Sequence, residues 1–149
     1  MLRTFNVGFD DFYITSINGE NSSREYFWLM ALNFKSLTVG GCQQKVKNGD
    51  QVLFAYTVTT QGVTTHFLKL SGQNLAIANQ RVVLTVTDGG TGAPVQNATV
   101  GGRQTDAQGQ VSIQFPDVGI QKLKATKNAG QGTTFVRSNQ LVINVIRAN

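Results

Sequence analysis

The chain has 149 residues and a formal net charge of +5, a length that fits one ordinary domain or two small ones. Its thirteen Lys and Arg residues are scattered rather than gathered into a stripe, so a weak attraction to polyanions is expected but no nucleic-acid site. One cysteine cannot form an internal disulfide, no apolar stretch approaches the roughly 20 residues that span a bilayer, and the first ten residues lack the apolar run of a signal peptide.

Aromatic residues are concentrated in the first half of the chain. Seven of the nine Phe residues, Trp28 and all three Tyr residues precede residue 70, whereas the remainder is rich in Val, Thr, Gly, Gln and Asn. This asymmetry predicts two cores, and we place two domains at 1–73 and 74–149. The low charged fraction of 14%, together with abundant Gly, Thr, Asn and Gln, is typical of secreted β proteins and predicts an extracellular or cell-surface location.

Strand signals dominate along the whole chain. Short runs of Val, Ile, Thr and Phe are bounded by Gly, Asn and Asp, and no window sustains a helical period. The sequence therefore predicts an all-β fold with almost no helix. In chain order the predicted strands are Asp11–Ile17, Tyr26–Asn33, Gln51–Thr59, His66–Leu70, Arg81–Thr87, Ala98–Gly101, Gln110–Phe115, Gly119–Lys127 and Asn139–Arg147.

The connections between these strands carry turn chemistry. The Asn-Gly dipeptides at 18–19 and 48–49 tolerate the positive φ angles that tight turns need. Because Lys47–Asp50 lies between two alternating apolar runs, a hairpin is predicted there. The acidic turns that begin at Asp88 and Asp106 have one carboxylate each, which is too few for a calcium loop.

Three motifs in the first half point to a known family. They are FDDFYITSING at 9–19, YFWLMALN at 26–33 and VKNGDQVLFAY at 46–56. In this order they resemble the C-terminal portion of a β-grasp domain, the ubiquitin-like module related to the C-terminal domain of transcobalamin and intrinsic factor. The resemblance implies a partial β-grasp sheet over residues 1–73.

The resemblance has one departure, which concerns the start of the domain. In this family a β-hairpin and a helix precede the FYITSING strand, whereas about ten residues precede it here. The resemblance therefore implies an unpaired strand edge and an uncovered apolar face, which invite pairing with another chain. Related fungal sequences carry the cysteine of GGCQQ with partners in the upstream half, so Cys42 is a candidate for a disulfide whose partner lies outside this chain. A free thiol is the alternative.

The second half shows a different set of motifs. VVLTVTDGGTGAPVQNATVGG at 82–102 is followed by QTDAQGQVSIQFPDVGIQKLKATKNAG at 104–130 and VRSNQLVINV at 136–145. Their order resembles the bacterial-type immunoglobulin-like β-sandwich repeats of surface proteins. Several short strands at regular spacing give the same prediction, an immunoglobulin-like β-sandwich over residues 74–149.

Candidate chemical groups are few. His66 is the only histidine, and with one cysteine and no dense group of carboxylates there is no zinc ligand set. No Gly-x-Ser-x-Gly motif or phosphate loop is present, so we predict no enzyme, no catalytic residue, no metal site and no cofactor. Asn21 in Asn-Ser-Ser and Asn97 in Asn-Ala-Thr are candidates for N-glycosylation on exposed loops.

These observations lead to one leading expectation and one alternative. The expected function is that of a non-enzymatic extracellular module, structural or adhesive, in a cell surface or matrix. Strand complementation between subunits would extend it into a filament, because a head-to-tail interface that does not close polymerises. The expected partners are other copies of the chain or a missing amino-terminal half, and cell-wall polysaccharide. The alternative is a module that binds carbohydrate or, from the transcobalamin resemblance, a corrinoid.

Overall fold

The computed structural model of the chain describes residues 1–8, 10–58 and 61–148. Within these residues there are strands and turns but no helix, so the all-β prediction is confirmed. The strands are β1 Leu2–Asn6, β2 Asp11–Ile17, β3 Glu20–Asn21, β4 Tyr26–Leu32, β5 Lys35–Ser36, β6 Val52–Val58, β7 Thr64–Ser71, β8 Leu75–Ile77, β9 Arg81–Asp88, β10 Thr99–Val100, β11 Arg103–Gln104, β12 Gln110–Gln114, β13 Gly119–Leu123, β14 Ala125–Thr126, β15 Thr133–Val136 and β16 Leu141–Ile146.

Each predicted strand coincides with an observed one, with ends that differ by one or two residues in most cases. The long prediction Gly119–Lys127 is divided into β13 and β14, and the predicted end at Thr59 lies outside the described residues. The sequence missed β1, β8 and β15, along with the two-residue strands β3, β5 and β11. These segments are short, and a short strand is stabilised by its partner more than by its own propensity.

Packing divides the chain into two compact units. The first unit consists of Met1–His66 with Gly130–Thr134, and the second of Phe67–Ala129 with Phe135–Asn149. These units are defined by packing alone, so the two domains at 1–73 and 74–149 stay a prediction.

The first unit contains two small sheets, with strand orders β1-β2-β3 and β5-β4-β6. β1 pairs with β2 from Leu2 to Asn6, and β4 pairs with β6 over the whole length of both strands. The residues that precede Asp11 form a strand of their own, which pairs with one edge of β2, and β3 pairs with the other edge at Ser16 and Ile17. The unpaired strand edge that the resemblance implied stays a prediction.

The two Asn-Gly turns have different outcomes. Asn18 and Gly19 have φ angles of 51° and 86° and join β2 to β3 in a two-residue hairpin. A turn also forms at Lys47–Asp50, where the NH of Asp50 donates to the carbonyl of Lys47 at 3.1 Å. The residues before it are not a strand, so the predicted hairpin is wrong. The partner of β6 is the more distant β4.

The second unit has the arrangement of a β-sandwich. β12, β9 and β7 are neighbours in one sheet, while β13, β16 and β8 form another. β16 pairs with β8 in parallel. Fully buried Leu84 and Val86 of β9 share one core with Ile143 and Val145 of β16, so the two sheets pack face to face. The alternation of buried and exposed residues along β9 supports this packing, because Val83 lies between two buried neighbours and is 55% exposed.

Candidate functional site

Six aromatic residues of the first unit share one side of their strands, whereas Tyr13 and Phe27 alternate to the other side of β2 and β4. Directly paired residues in an antiparallel sheet point to the same side, and the pairs include Phe5 with Phe12 and Trp28 with Tyr56. Phe12 of one sheet and Phe54 of the other border one concavity of about 220 Å³. We define the aromatic face by Phe5, Phe12, Tyr26, Trp28, Phe54 and Tyr56.

The aromatic face is open to solvent. Apart from the half-buried Trp28, its residues retain between 36% and 47% of their surface. On the opposite side of β4 and β6, Ala31, Ala55 and Thr57 are buried. Contiguous exposed apolar surface of this kind is uncommon on soluble monomers and marks interaction sites. The aromatic face is therefore one part of the candidate functional site.

One end of the aromatic face is a row of three rings held by hydrogen bonds. Tyr26 stacks on Tyr56 with ring centroids 5.5 Å apart and an interplanar angle of 28°. The ring centroid of Trp28 lies 5.3 Å from that of Tyr56. The indole NH of Trp28 donates to the carbonyl of Glu20 at 2.9 Å, and the hydroxyl of Tyr56 donates to the carbonyl of Asn21 at 2.7 Å. β3 thus fixes the orientation of Trp28 and Tyr56, and Tyr26 stacks on Tyr56. We call Tyr26, Trp28 and Tyr56 the aromatic row.

The other end of the face carries a cation over an aromatic pair. Phe5 and Phe12 meet edge to face with centroids 5.2 Å apart, and the guanidinium of Arg3 lies 4.5 Å from the ring centre of Phe12. Both arrangements are favourable geometries for aromatic rings. They order side chains that would otherwise be free to move on an exposed surface.

A cavity of about 330 Å³ lies beside this face, within the first unit. Phe12, Tyr13 and Trp28 supply ring surface to its wall, and Asn6 and Gln43 supply polar groups. An apolar wall with a few polar groups is the usual composition of a small-molecule site, and the volume is near the lower limit for such sites.

A buried carboxylate anchors the loop that closes this cavity. Asp11 is 3% exposed, and its carboxylate accepts hydrogen bonds from the NH of Phe12 at 2.6 Å and the NH of Gln43 at 3.2 Å. Gly40 lies directly against it, so that a Cβ at that position would overlap the carboxylate. The absence of a side chain at Gly40 therefore permits the loop to approach Asp11. The sequence analysis did not predict this role of Asp11. The only signal was the position of an acidic residue at the start of a strand.

The same contacts set the pKa values of Asp11 and Cys42. Desolvation raises the pKa of the Asp11 carboxyl, but the hydrogen bonds from the NH of Phe12, the thiol of Cys42 and the backbone of Gln43 outweigh it, and the pKa is lowered. The hydrogen bond to Asp11, with desolvation and the Asp11 charge, raises the pKa of the Cys42 thiol. The thiol is therefore kept protonated and is a weaker nucleophile than an ordinary cysteine.

Cys42 itself is a free and exposed cysteine. Its exposure is compatible with the predicted disulfide to a partner outside this chain, which stays a prediction.

A second polar network explains two of the sequence motifs. The side chain of Asn33 donates to the carboxylate of Asp50 at 2.8 Å and accepts from the NH of Gln51 at 3.0 Å. The other carboxylate oxygen of Asp50 accepts from the NH of Lys47 at 2.7 Å. The Asn that ends the Trp-containing strand and the Asp of the Gly-Asp turn therefore join the ends of β4 and β6.

The remaining predicted residues lie apart from these features. Asn21 is exposed on β3, and Asn97 is exposed with a φ of 58°. Their glycosylation stays a prediction. His66 is half-buried on β7. The described part of the chain contains no group of three His, Cys, Asp or Glu residues that could hold a metal ion, and no helix there is long and apolar enough to cross a bilayer.

Comparison with known proteins finds a match for the amino-terminal part of the chain. Residues 3–58 match a family model described as Domain of unknown function (DUF4430). This family is associated with transcobalamin-like proteins. The match ends with β6 and includes the whole aromatic face. No curated protein and no solved structure matches the chain.

Proposed function

We propose that the chain is a non-enzymatic structural or adhesive module of the cell surface or extracellular matrix that assembles by strand pairing at the outer edge of β6. The observation that carries this proposal is a row of backbone groups that no strand of the described residues pairs with. In the strand order of the first unit, β6 ends its sheet. An edge strand of this length is a template for another chain.

The pairing of β4 with β6 identifies which backbone groups are available. The NH of Asn33 donates to the carbonyl of Gln51, and hydrogen-bonded pairs alternate with non-bonded pairs along antiparallel strands. The odd-numbered residues of β6 therefore direct their NH and carbonyl groups toward β4. The groups that point outward belong to Val52, Phe54, Tyr56 and Val58.

Two assemblies are possible through the edge strands β6 and β1 of the first unit. Pairing of β6 with β6 of a second copy gives a closed dimer, because the same edge serves both subunits. Pairing of β6 with β1 of the next copy is head to tail, and it gives a filament if the rotation does not close. Electron microscopy of the purified chain distinguishes a filament from a dimer.

The test compares two substitutions at one position. Phe54→Ala and Phe54→Pro both remove the same exposed ring, but only the proline removes the outward NH. We expect light scattering after size exclusion to show concentration-dependent association for the parent chain and Phe54→Ala, and loss of association for Phe54→Pro. A parent chain that remains monomeric at all concentrations would rule out the proposal. Equal loss in both variants would assign association to the aromatic face instead.

The cavity beside Trp28 favours a second candidate function, the binding of a small ligand. At about 330 Å³ it has room for a single sugar ring, whereas a corrinoid has several times as many atoms. Carbohydrate is therefore the favoured ligand class. Because Trp28 is the only tryptophan and lines the cavity, its fluorescence reports binding directly. Titration with monosaccharides and short cell-wall oligosaccharides should change that fluorescence in a saturable way, and an unchanged signal throughout would exclude this function.

A further inference from the structure

We propose that an N-linked glycan on Asn21 packs against the aromatic row and covers that end of the aromatic face. The inference rests on the extracellular location given under the proposed function, since N-glycans are added in the secretory route. It commits the exposed rings to one occupant, a sugar carried by the same chain.

The register of the first sheet places Asn21 on the correct side. Asn21 pairs with Ser16, and Ser16 lies on the same side of β2 as Phe12, because alternate residues of a strand share a side. Phe12 belongs to the aromatic face. The side chain of Asn21 therefore leaves β3 on the side that carries Phe12, which is the side of the aromatic face.

The distance between Asn21 and the row is that of a direct contact. The hydroxyl of Tyr56 donates to the backbone carbonyl of Asn21 at 2.7 Å, and the indole of Trp28 donates to the carbonyl of the preceding Glu20. Both bonds use backbone oxygens. A sugar on the side-chain nitrogen of Asn21 leaves them in place, and the first sugar ring begins within reach of Tyr56.

The chemistry of the contact is suitable on both sides. One face of a pyranose ring presents C–H groups, and an exposed aromatic ring offers a flat apolar surface that is costly to leave in water. Tyr26 is 42% exposed and Tyr56 is 37% exposed. Hydrogen bonds to β3 hold Trp28 and Tyr56 in position, and Tyr26 stacks on Tyr56. The sugar therefore gains burial of apolar surface without having to order the rings.

The second sequon provides a matched control in the same chain. Asn97 borders a shallow concavity with Arg103, Gln104 and Asp106, and that concavity has no aromatic residue in its wall. A glycan at Asn97 adds the same mass and the same sugars. The wall of that concavity offers it no ring to pack on.

The experiment uses the full chain secreted by a eukaryotic host, with N21Q and N97Q variants and site occupancy measured by mass spectrometry. Thermal unfolding is followed by the fluorescence of Trp28, which lies in the aromatic row. We expect N21Q to lower the midpoint by about 4–8 °C, the shift that one aromatic contact produces in a domain of this size. We expect N97Q to leave the midpoint unchanged. N21Q should also make Trp28 more accessible to a soluble quencher.

Tyr26→Ala tests the contact without removing the sugar, because the hydrogen-bonded Trp28 and Tyr56 remain. It should lower the midpoint more in the glycosylated chain than in N21Q. An unoccupied Asn21, equal shifts for N21Q and N97Q, or equal effects of Tyr26→Ala in both backgrounds would overturn the inference. Burial of Trp28 in a dimer of the glycosylated chain would also overturn it, since a second copy would then occupy the face. None of these outcomes alters the result expected for Phe54→Pro, so the two proposals fail separately.

Discussion

Asp11 is a charged residue in a buried position, and the loop at residues 40–43 supplies what its carboxylate needs. Backbone NH groups of Phe12 and Gln43 donate to it, and the missing side chain of Gly40 permits the loop that carries Gln43 to approach it. A buried charge without such donors would cost several kcal/mol. Gly40, one of the two glycines before Cys42, thus has a steric role that does not depend on the thiol.

Gly40→Ala should destabilise the first unit. The added Cβ would overlap the Asp11 carboxylate, and relief of such overpacking typically costs about 1–3 kcal/mol. Urea unfolding followed by Trp28 fluorescence measures the change in the free energy of unfolding. Gly19→Ala is the contrast, because Gly19 has open space around it and a φ of 86°, so its cost is backbone strain alone. A Gly40→Ala variant as stable as the parent would show that the loop can move away from Asp11.

The stability of the first unit should depend on pH in the acid range. The hydrogen bond from Asn33 and the NH of Lys47 lower the pKa of the Asp50 carboxyl, and the pKa of Asp11 is lowered as well. A carboxyl whose folded pKa is below its unfolded value stabilises the fold fully above the unfolded pKa of about 4. This stabilisation is lost as the pH falls through the folded pKa. Urea unfolding at neutral pH and at successive values below about pH 4 should show the loss, and Asp50→Asn should reduce it.

At the scale of elements, the turn between β4 and β5 has a strained backbone, and burial of one of its side chains stabilises it. Asn33 and Phe34 have φ angles of 51° and 68°. Asn tolerates the left-handed region, but a bulky residue there is strained. Phe34 is nevertheless buried, with 6% of its surface exposed. Burial of a phenylalanine side chain is worth more than the strain costs, so the packing determines the residue.

An alanine variant is usually more stable than a glycine variant at the same position, and at Phe34 we expect the opposite order of stability. Phe34→Ala loses the buried ring, at about 3–5 kcal/mol, and keeps the left-handed strain. Phe34→Gly loses the same ring but relieves the strain, so it should be the more stable of the two by about 1 kcal/mol. Urea unfolding of both variants measures the difference. If Phe34→Ala is the more stable variant, the turn does not retain a left-handed conformation at this position.

At the scale of the whole molecule, the two units differ in the size of their cores. Among the described residues, the buried apolar residues of the first unit are Ile14, Ala31, Phe34 and Ala55. The second unit has a cluster of fifteen buried residues that includes Leu84 and Ile143. Since apolar burial is the main favourable term in folding, the first unit should be the less stable one. The exposed aromatic face is a consequence of the same imbalance.

Unfolding in urea should therefore begin in the first unit. The fluorescence of Trp28 reports that unit, and far-ultraviolet circular dichroism reports the strands of both. We expect the midpoint of the fluorescence change to lie at a lower urea concentration than the midpoint of the dichroism change. Leu84→Ala, which truncates a fully buried side chain, should destabilise the second unit by about 3 kcal/mol and bring the two signals closer together. Coincident midpoints in the parent chain would contradict this expectation.

Local chemistry in the sequence was sufficient to identify most strands and one tight turn. Alternation of apolar residues located β2, β4, β6, β9 and β12 to within one or two residues, and Asn18-Gly19 located a tight turn. The prediction at Lys47–Asp50 failed because a turn signal does not specify which strands pair. β6 pairs with β4, and their contact depends on residues far apart in the chain, including the bonds from Asn33 to Asp50.

The sequence by itself determined the all-β fold, because strand propensity and turn chemistry act over a few residues and are readable at each position. Only the tertiary structure decided that β1 pairs with β2, that β8 lies parallel to β16, and that the aromatic residues share one exposed face beside Asn21. These features arise from contacts between distant segments, whose free energy depends on register and on mutual burial. No single stretch of the chain contains that information.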